Sequence, residues 1–193
     1  FQLTMHRQPY VNPDLSPNGK LMAYYQSRGR GDEHLWVMDI GTRKTAKLTE
    51  LADSPSWSND GRKIVFQQGM NIYTVDLDQG NCRLKVADTL LLPYGQSFSP
   101  DDSRILYNRG FITNQSNGSI DRMLGLWIVN SDGSYNRQFI PLETTNPKKY
   151  QMLFDLDWSI DGRIATVMYE VDESQNQRYA VIVLMDGDGS NIR

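Results

Sequence analysis

"SPSWSNDGRKIVFQQGMNIYTVDL", residues 54–77, decides the fold. A tryptophan sits between two serines, Asn59-Asp60-Gly61 makes a tight turn, and two short apolar stretches follow. Asparagine, aspartate and glycine suit that turn because they tolerate the left-handed backbone region. The same phrase returns as "PDLSPNGKLMAYY" (13–25), "QSFSPDDSRILYN" (96–108) and "LDWSIDGRIATVMY" (156–169). Its serines, Ser16, Ser58, Ser99 and Ser159, recur at intervals of 42, 41 and 60 residues, so the third interval carries an insertion. A second phrase follows each first one: "HLWVMDIGTRKTAKLT", "NIYTVDLDQGNCRLKV", "GLWIVNSDGSYNRQFI" and "AVIVLMDGDGSNIR". In it an apolar strand ends at Asp39, Asp76, Asn130 or Asp186 and turns through glycine into another strand.

Each unit therefore holds four short extended pieces. In the quoted copy they are the Trp57 region, Ile64–Gln67, Ile72–Asp76 and Arg83–Val86, rich in β-branched and aromatic residues and separated by turn chemistry. A lone sheet of this size cannot bury both faces, so the copies must pack on one another. Helical periodicity is not sustained anywhere, which excludes bundles and α/β folds. Four-stranded antiparallel units of about 40–45 residues packed in series are the blades of a β-propeller. The expected fold is all-β, with blades starting near 13, 54, 96 and 156 within a single propeller domain spanning 1–193. Trp57, Phe98 and Trp158 stand at equivalent places in the repeat and are expected in the core between blades.

These phrases resemble the TolB-type, WD-repeat-like propeller unit, whose pattern runs W-S-P-D-G-x-x-I-A-F, then I-Y-x-M-D, then G-x-x-x-x-L-T. The resemblance covers nearly the whole chain and is specific for blade architecture rather than for function, since propellers host unrelated activities. Asn59 and Ile160 depart from it in place of proline, Leu15 in place of the aromatic residue and Asp102 in place of glycine, and the fourth copy is one residue short after Arg163. The resemblance implies a ring of six or more blades, of which four are visible here. "FQLT" (1–4) is similar to "AKLT" (46–49), the outer strand of a blade, whereas "SNIR" stops just before such a strand is due. Either the strand at 1–4 closes the last blade or it belongs to a preceding blade of a longer ring from which this chain is a section, and the resemblance favours the longer ring.

Composition narrows function. At 193 residues, with 39% hydrophobic and 22% charged residues, the chain can bury a good core. A formal net charge of -3 gives no basic footprint for nucleic acid. No apolar run approaches the ~20 residues of a membrane span, so no membrane insertion is expected. Cys82, the sole cysteine, is expected to pack as a small buried apolar side chain. There is no G-x-S-x-G elbow, no glycine-rich phosphate loop and no paired Cys or His metal spacing, and the histidines are His6 and His34 alone. No catalytic residue, metal ligand or cofactor is expected. "DGDGSN" (186–191) has the look of a calcium loop but lacks the glutamate and flanking helices, and reads as a hairpin turn.

The copies differ where chain has been added: 26–34, 108–124, 169–179 and, between blades, 141–155. Long variable loops gathered on one face of a rigid repeat are where recognition usually lives. Candidate partner contacts are Arg28, Arg30, Asp32, His34, Arg109, Phe111, Arg122, Lys148 and Lys149. The resemblance implies a non-catalytic scaffold that binds a protein partner, in the bacterial periplasm or outside the cell. Further blades or domains of the same polypeptide are another class of partner. Two alternatives stay open: the propeller of a larger peptidase resembling the prolyl oligopeptidase group, and a metal-dependent polysaccharide lyase, which would need a histidine cluster. On this reading Arg109→Ala leaves stability nearly unchanged.

Overall fold

The computed structural model describes residues 10–27, 33–87, 95–115, 118–141, 149–172 and 177–193. The chain divides into two compact units, Phe1–Ala87 and Asp88–Arg193. Every regular element among the described residues is a strand. The first unit holds β1 (Tyr10–Leu15), β2 (Leu21–Ser27), β3 (Glu33–Asp39) and β4 (Thr45–Glu50), then β5 (Asp53–Trp57), β6 (Lys63–Gln68), β7 (Asn71–Asp76) and β8 (Cys82–Ala87). These make two four-stranded antiparallel meanders, β1-β2-β3-β4 and β5-β6-β7-β8. The second unit holds β9 (Gln96–Phe98), β10 (Arg104–Gln115), β11 (Gly118–Asn130) and β12 (Arg137–Pro141), then β13 (Lys149–Trp158), β14 (Arg163–Asp172) and β15 (Gln177–Asp186). Its sheets run β9-β10-β11-β12 and β13-β14-β15. Where a fourth strand would flank β15, the Arg193 amide and carbonyl pair with Leu184 at 2.9 and 3.1 Å. The proposed start of an outer strand at 1–4 lies outside the described residues.

The repeated serine is a turn clamp. Ser58 Oγ accepts from the Lys63 amide at 2.9 Å and donates to Asp60 Oδ1 at 2.7 Å, while Asp60 Oδ1 also accepts from the Arg62 amide at 2.9 Å. Ser16, with Asn18 and Leu21, and Ser99, with Asp101 and Arg104, repeat the arrangement at 2.6–2.9 Å. The side chains of Ser16, Ser58 and Ser99 are buried, so their hydroxyls meet protein rather than water. The third residue after each serine takes the left-handed conformation: Gly19, Gly61, Gly162, and Asp102 at φ 57°. Asp102 fills the glycine position because aspartate is among the few side chains that tolerate that region. In the fourth copy Arg163 bonds to Ser159 at 3.3 Å and so occupies the place of Lys63. The missing residue therefore falls before Arg163, not after it.

A second device is invisible in the repeat phrase. Four residues before each serine the backbone again turns left-handed, at Asn12 (φ 47°), Ser54 (φ 48°), Gly95 (φ 90°) and Asp155 (φ 47°). In β1, β5 and β13 this coincides with a register shift against the second strand. Such bulges raise the local twist. Pro13 and Pro55 fit directly after them, where the ladder is interrupted and an amide donor is dispensable.

Consecutive sheets within a unit close on each other. In the first unit Ala23, Leu35, Val37, Ala52, Trp57, Ile64, Phe66 and Val75 form one buried cluster. In the second, Leu106, Leu126, Ile128, Leu156, Trp158, Ile164, Val183 and Met185 form another. Trp57, Phe98 and Trp158 are all buried, as the repeat requires. Polar clasps join the sheets above these cores. The Trp57 amide donates to Asp14 Oδ2 at 2.7 Å and its indole Nε1 to the Asp14 carbonyl at 3.1 Å. At the matching place the Trp158 amide donates to Ser97 Oγ at 3.2 Å. Cys82 departs from expectation: it opens the outermost strand β8 and is exposed, because the outer strand of a blade faces solvent on one side.

Two measurements test this account. Trp57→Ala should cost about 3–5 kcal/mol through lost burial and the cavity left behind, whereas Leu84→Ala, on the exposed face of β8, should change stability by no more than about 0.5 kcal/mol. Equal effects in denaturant titrations would refute the packed-blade reading. The hydroxyls of Ser99 and Ser103 and the Ser103 amide hold Asp101 down to about 2. Asp161, held chiefly by the Arg163 guanidinium and the Ser159 hydroxyl, also lies at about 2. A carboxyl depressed on folding stabilises the native state above its unfolded value of about 4 and loses that contribution as pH falls through its folded value. The turns should therefore survive pH 4 and weaken between about pH 4 and 2. In Ser99→Ala, the Asp101 carboxyl should titrate nearer its ordinary value by NMR; an unchanged midpoint would contradict the clamp.

Candidate functional site at the hairpin ends of the sheets

In an antiparallel meander the connections between second and third strands all emerge at one end of the sheet. The added residues sit there, and the structure changes how they are read. Segment 108–124 is not a loop: β10 and β11 pair in register from Arg104↔Asn130 out to Gln115↔Gly118, with residues 116–117 outside the described set. The core strands fix a register that β-branched Ile112, Thr113 and Ile120 can carry outward. One extra residue, Leu124, is absorbed by a bulge in β11 between Met123 and Gly125, whose φ is 116°, opposite the step from Arg109 to Gly110. Strand β9 pairs with Ile105–Tyr107 and β12 with Gly125–Ile128. From Gly110↔Met123 outward, the described pairing is a two-stranded ribbon.

The same happens on a smaller scale elsewhere. Gln26↔His34 and Ser27↔Glu33 close the β2–β3 ladder, and Asp172↔Gln177 closes β14–β15. In the 141–155 insertion, β13 starts at Lys149, paired with Asp172.

The nine candidate contacts divide accordingly. Arg28, Arg30, Asp32 and Lys148 lie outside the described residues. Arg109, Phe111 and Arg122 share one hairpin, with Phe111 and Arg122 opposite each other in the register. Lys149 opens β13 in the same unit. His34 belongs to the first unit, half-buried on β3 and opposite Glu50 on β4. The Lys47 ammonium, 2.9 Å from Glu50, holds that carboxyl below its usual range, with His34 adding a smaller effect. Arg109 is half-buried, and its guanidinium lies 4.2 Å from the centre of the Trp127 ring. That contact gives Arg109 a packing role that the repeat phrase does not show, because Trp127 is distant in sequence and only the register brings the two together. The expected calcium-like segment is a turn. Asp186 accepts from Asn191 Nδ2 at 2.6 Å and Asp188 from the Ser190 amide at 2.8 Å. Among the described residues no group of three or more acidic, histidine or cysteine side chains is placed to hold a metal. No helix among them is long and apolar enough to cross a membrane.

No family model and no curated protein matches the chain. Solved structures do. TolB from Agrobacterium tumefaciens superposes with a TM-score of 0.70 at 22% identity, covering 94% of this chain and 63% of that one. TolB from Acinetobacter baumannii gives 0.64 at 14% identity, with 97% and 54% covered. An acylaminoacyl peptidase from Pyrococcus horikoshii gives 0.60 at 11% identity, with 93% of this chain but 35% of the peptidase covered. The chain thus spans less than two thirds of the length of either TolB protein. Sheets of this topology, turns clamped by a repeated serine, and these superpositions give one conclusion: the chain has the TolB-like β-propeller fold, built from four-stranded antiparallel blades.

Proposed function

We propose that the chain is a non-catalytic scaffold, a TolB-like propeller segment that binds a protein partner at the hairpin ends of its sheets. The partner surface would be built in the second unit, on Arg109, Phe111, Arg122 and Lys149 with Lys148; His34, with Arg28, Arg30 and Asp32, is a separate candidate surface of the first unit. The observation that carries this reading is the β10–β11 ribbon, which runs six residue pairs beyond the last rung flanked by a third strand. A two-stranded ribbon is at best marginally stable in water. A partner that adds contacts to it would supply what the sheet does not. Arginine and aromatic residues, which the ribbon and its base carry, are enriched at protein interfaces. Following the resemblance, the working location is the bacterial periplasm or the cell exterior.

The peptidase likeness supports a shared scaffold only. A hydrolase domain continuing from this chain would make the same face the wall of an antechamber.

Replacing Gly110–Leu124 by a two-residue Asn-Gly turn, which closes the Arg109↔Gly125 rung, should leave the melting temperature within about 3 °C and abolish capture of the partner by the otherwise intact chain. Retained capture would move the partner surface elsewhere. Arg109→Ala should cost about 0.5–1 kcal/mol through the lost stacking on Trp127, measured by urea denaturation.

A further inference from the structure

The turn clamp is not built alike in its four copies. Two residues after the serine stand Asp60, Asp101 and Asp161, but in the first copy that residue is Asn18. Asn18 Oδ1 accepts from Ser16 Oγ and from the Lys20 amide, both at 2.9 Å, the same pair of bonds that Asp60 makes with Ser58 and Arg62. The hydroxyl bonds to Asp60 and Asp101 are shorter, at 2.7 and 2.6 Å, as expected of an ionised acceptor. The first turn thus holds the same geometry with a neutral amide.

Asn18 is followed by Gly19, and that pairing carries chemistry of its own. Asn-Gly occurs at 18–19 and at 117–118, where Asn117 lies outside the described residues. A glycine nitrogen can approach the side-chain carbonyl carbon of the preceding asparagine unhindered, because glycine has no Cβ and few conformational limits. Asn18 is exposed, and a Cβ placed on Gly19 would meet nothing within 4 Å, so a small ring can form there without a steric block. The clamp is what opposes it. The nitrogen that would attack donates to the Ser16 carbonyl at 2.8 Å, and the oxygen on the carbon it would attack is tied by Ser16 Oγ and the Lys20 amide. Ser16 is buried, which fixes its hydroxyl in place.

We propose that Asn18 is a hydrolytic modification site held in check by its own turn, deamidating only when the Ser16 clamp opens. In the step, the Gly19 nitrogen gives its proton to water and bonds to Asn18 Cγ; the Cγ–Nδ2 bond breaks, and Nδ2 takes up a proton and leaves as ammonia. Water then opens the cyclic imide, and nothing is oxidised or reduced. Cleaving the new Cγ–N bond leaves aspartate at 18, the acceptor the other three copies carry. Cleaving the original peptide bond routes the chain through Cγ as isoaspartate and lengthens the turn by one backbone carbon. The rate is set by how often the turn opens. The site lies between β1 and β2 and does not depend on the partner surface proposed above.

The test follows the 193-residue chain at mildly alkaline pH by tryptic mass spectrometry, reading the amide-to-acid mass gain in the peptide ending at Lys20. The other asparagine in that peptide, Asn12, precedes Pro13, whose nitrogen has no proton to lose, so the signal belongs to Asn18. In the intact chain Asn18 should deamidate at least about tenfold more slowly than in a synthetic peptide of residues 13–25, since bonds of ordinary strength must open first. Urea should close that gap, and so should Ser16→Ala in a chain that still folds by circular dichroism. Equal rates in the intact chain and the peptide, rates that stay low in urea, or protection that survives Ser16→Ala would each overturn the proposal. Asn18→Asp supplies a second readout: the Lys20 amide resonance should move as the new carboxyl titrates, as the Arg62 amide does with Asp60. A Lys20 amide that ignores the carboxyl would overturn the equivalence of the product with the other clamps.

Discussion

An antiparallel sheet has two faces, and a four-stranded one is too small to leave either bare. That constraint orders everything else in this chain. Side chains alternate along a strand, so inner strands with apolar residues on both sides must be sandwiched. The Lys63–Gln68 strand shows it: Ile64, Val65, Phe66 and Gln67 are consecutive and all buried. Its side chains are buried on both faces of the sheet. Trp57 and Trp158 fill the interval between one sheet and the next, and their backbone amides reach back to the sheet before. Packing and polar clasp thus fall on the same residue, so the separation and the register of two sheets are set together.

The turns serve that geometry. A sheet that must present apolar residues on both sides cannot tolerate a slip of one residue, because a slip exchanges its faces. The serine clamp guards against this by fixing each first turn with side-chain bonds as well as backbone ones. The aspartates two residues on, Asp60, Asp101 and Asp161, are held as anions by hydroxyls and amides of the turn, which accounts for the low value of Asp101. For Asp60, burial pushes the carboxyl up, and the Ser58 hydroxyl with the Arg62 amide outweighs it. The carboxylates that recur in this chain are turn parts, and their repetition follows from the repetition of the turn.

This explains which features could be read from the sequence and which could not. The blade architecture was legible because the clamp uses a fixed set of residue types at a fixed spacing, and Trp57, Phe98 and Trp158 ride on that spacing. The left-handed bulge four residues upstream was not: Asn12, Ser54, Gly95 and Asp155 share a backbone conformation and no side chain. The exposure of Cys82 depends on β8 being outermost, which is a matter of sheet order. Segment 108–124 carries Asn, Gln, Ser and Gly, the composition of a loop, yet its pairing is inherited from strands already aligned by the core. Of the candidate contacts, Arg109 and its neighbours on the hairpin were found by looking for added chain, but the stacking of Arg109 on Trp127 required the register.

Repetition also makes the exceptions informative. When two copies of one clasp are compared, the shared atoms report the scaffold and the differences report what one copy does that the other does not need to. Leu21, opposite Asp39, and Ala46, opposite Val37, serve the first unit as ordinary packing residues; Arg104 and Arg137, opposite Asn130 and Ile128 at the same stations, cannot. Placing two guanidinium groups beside an aromatic core weakens packing there relative to leucine and alanine, since charged heads keep water near and bring no apolar area beyond their stems. The stacking of Arg104 over Trp158 recovers part of that loss. Trp158 Nε1 is buried without a hydrogen-bond partner, whereas Trp57 Nε1 at the same station of the first unit donates to the Asp14 carbonyl.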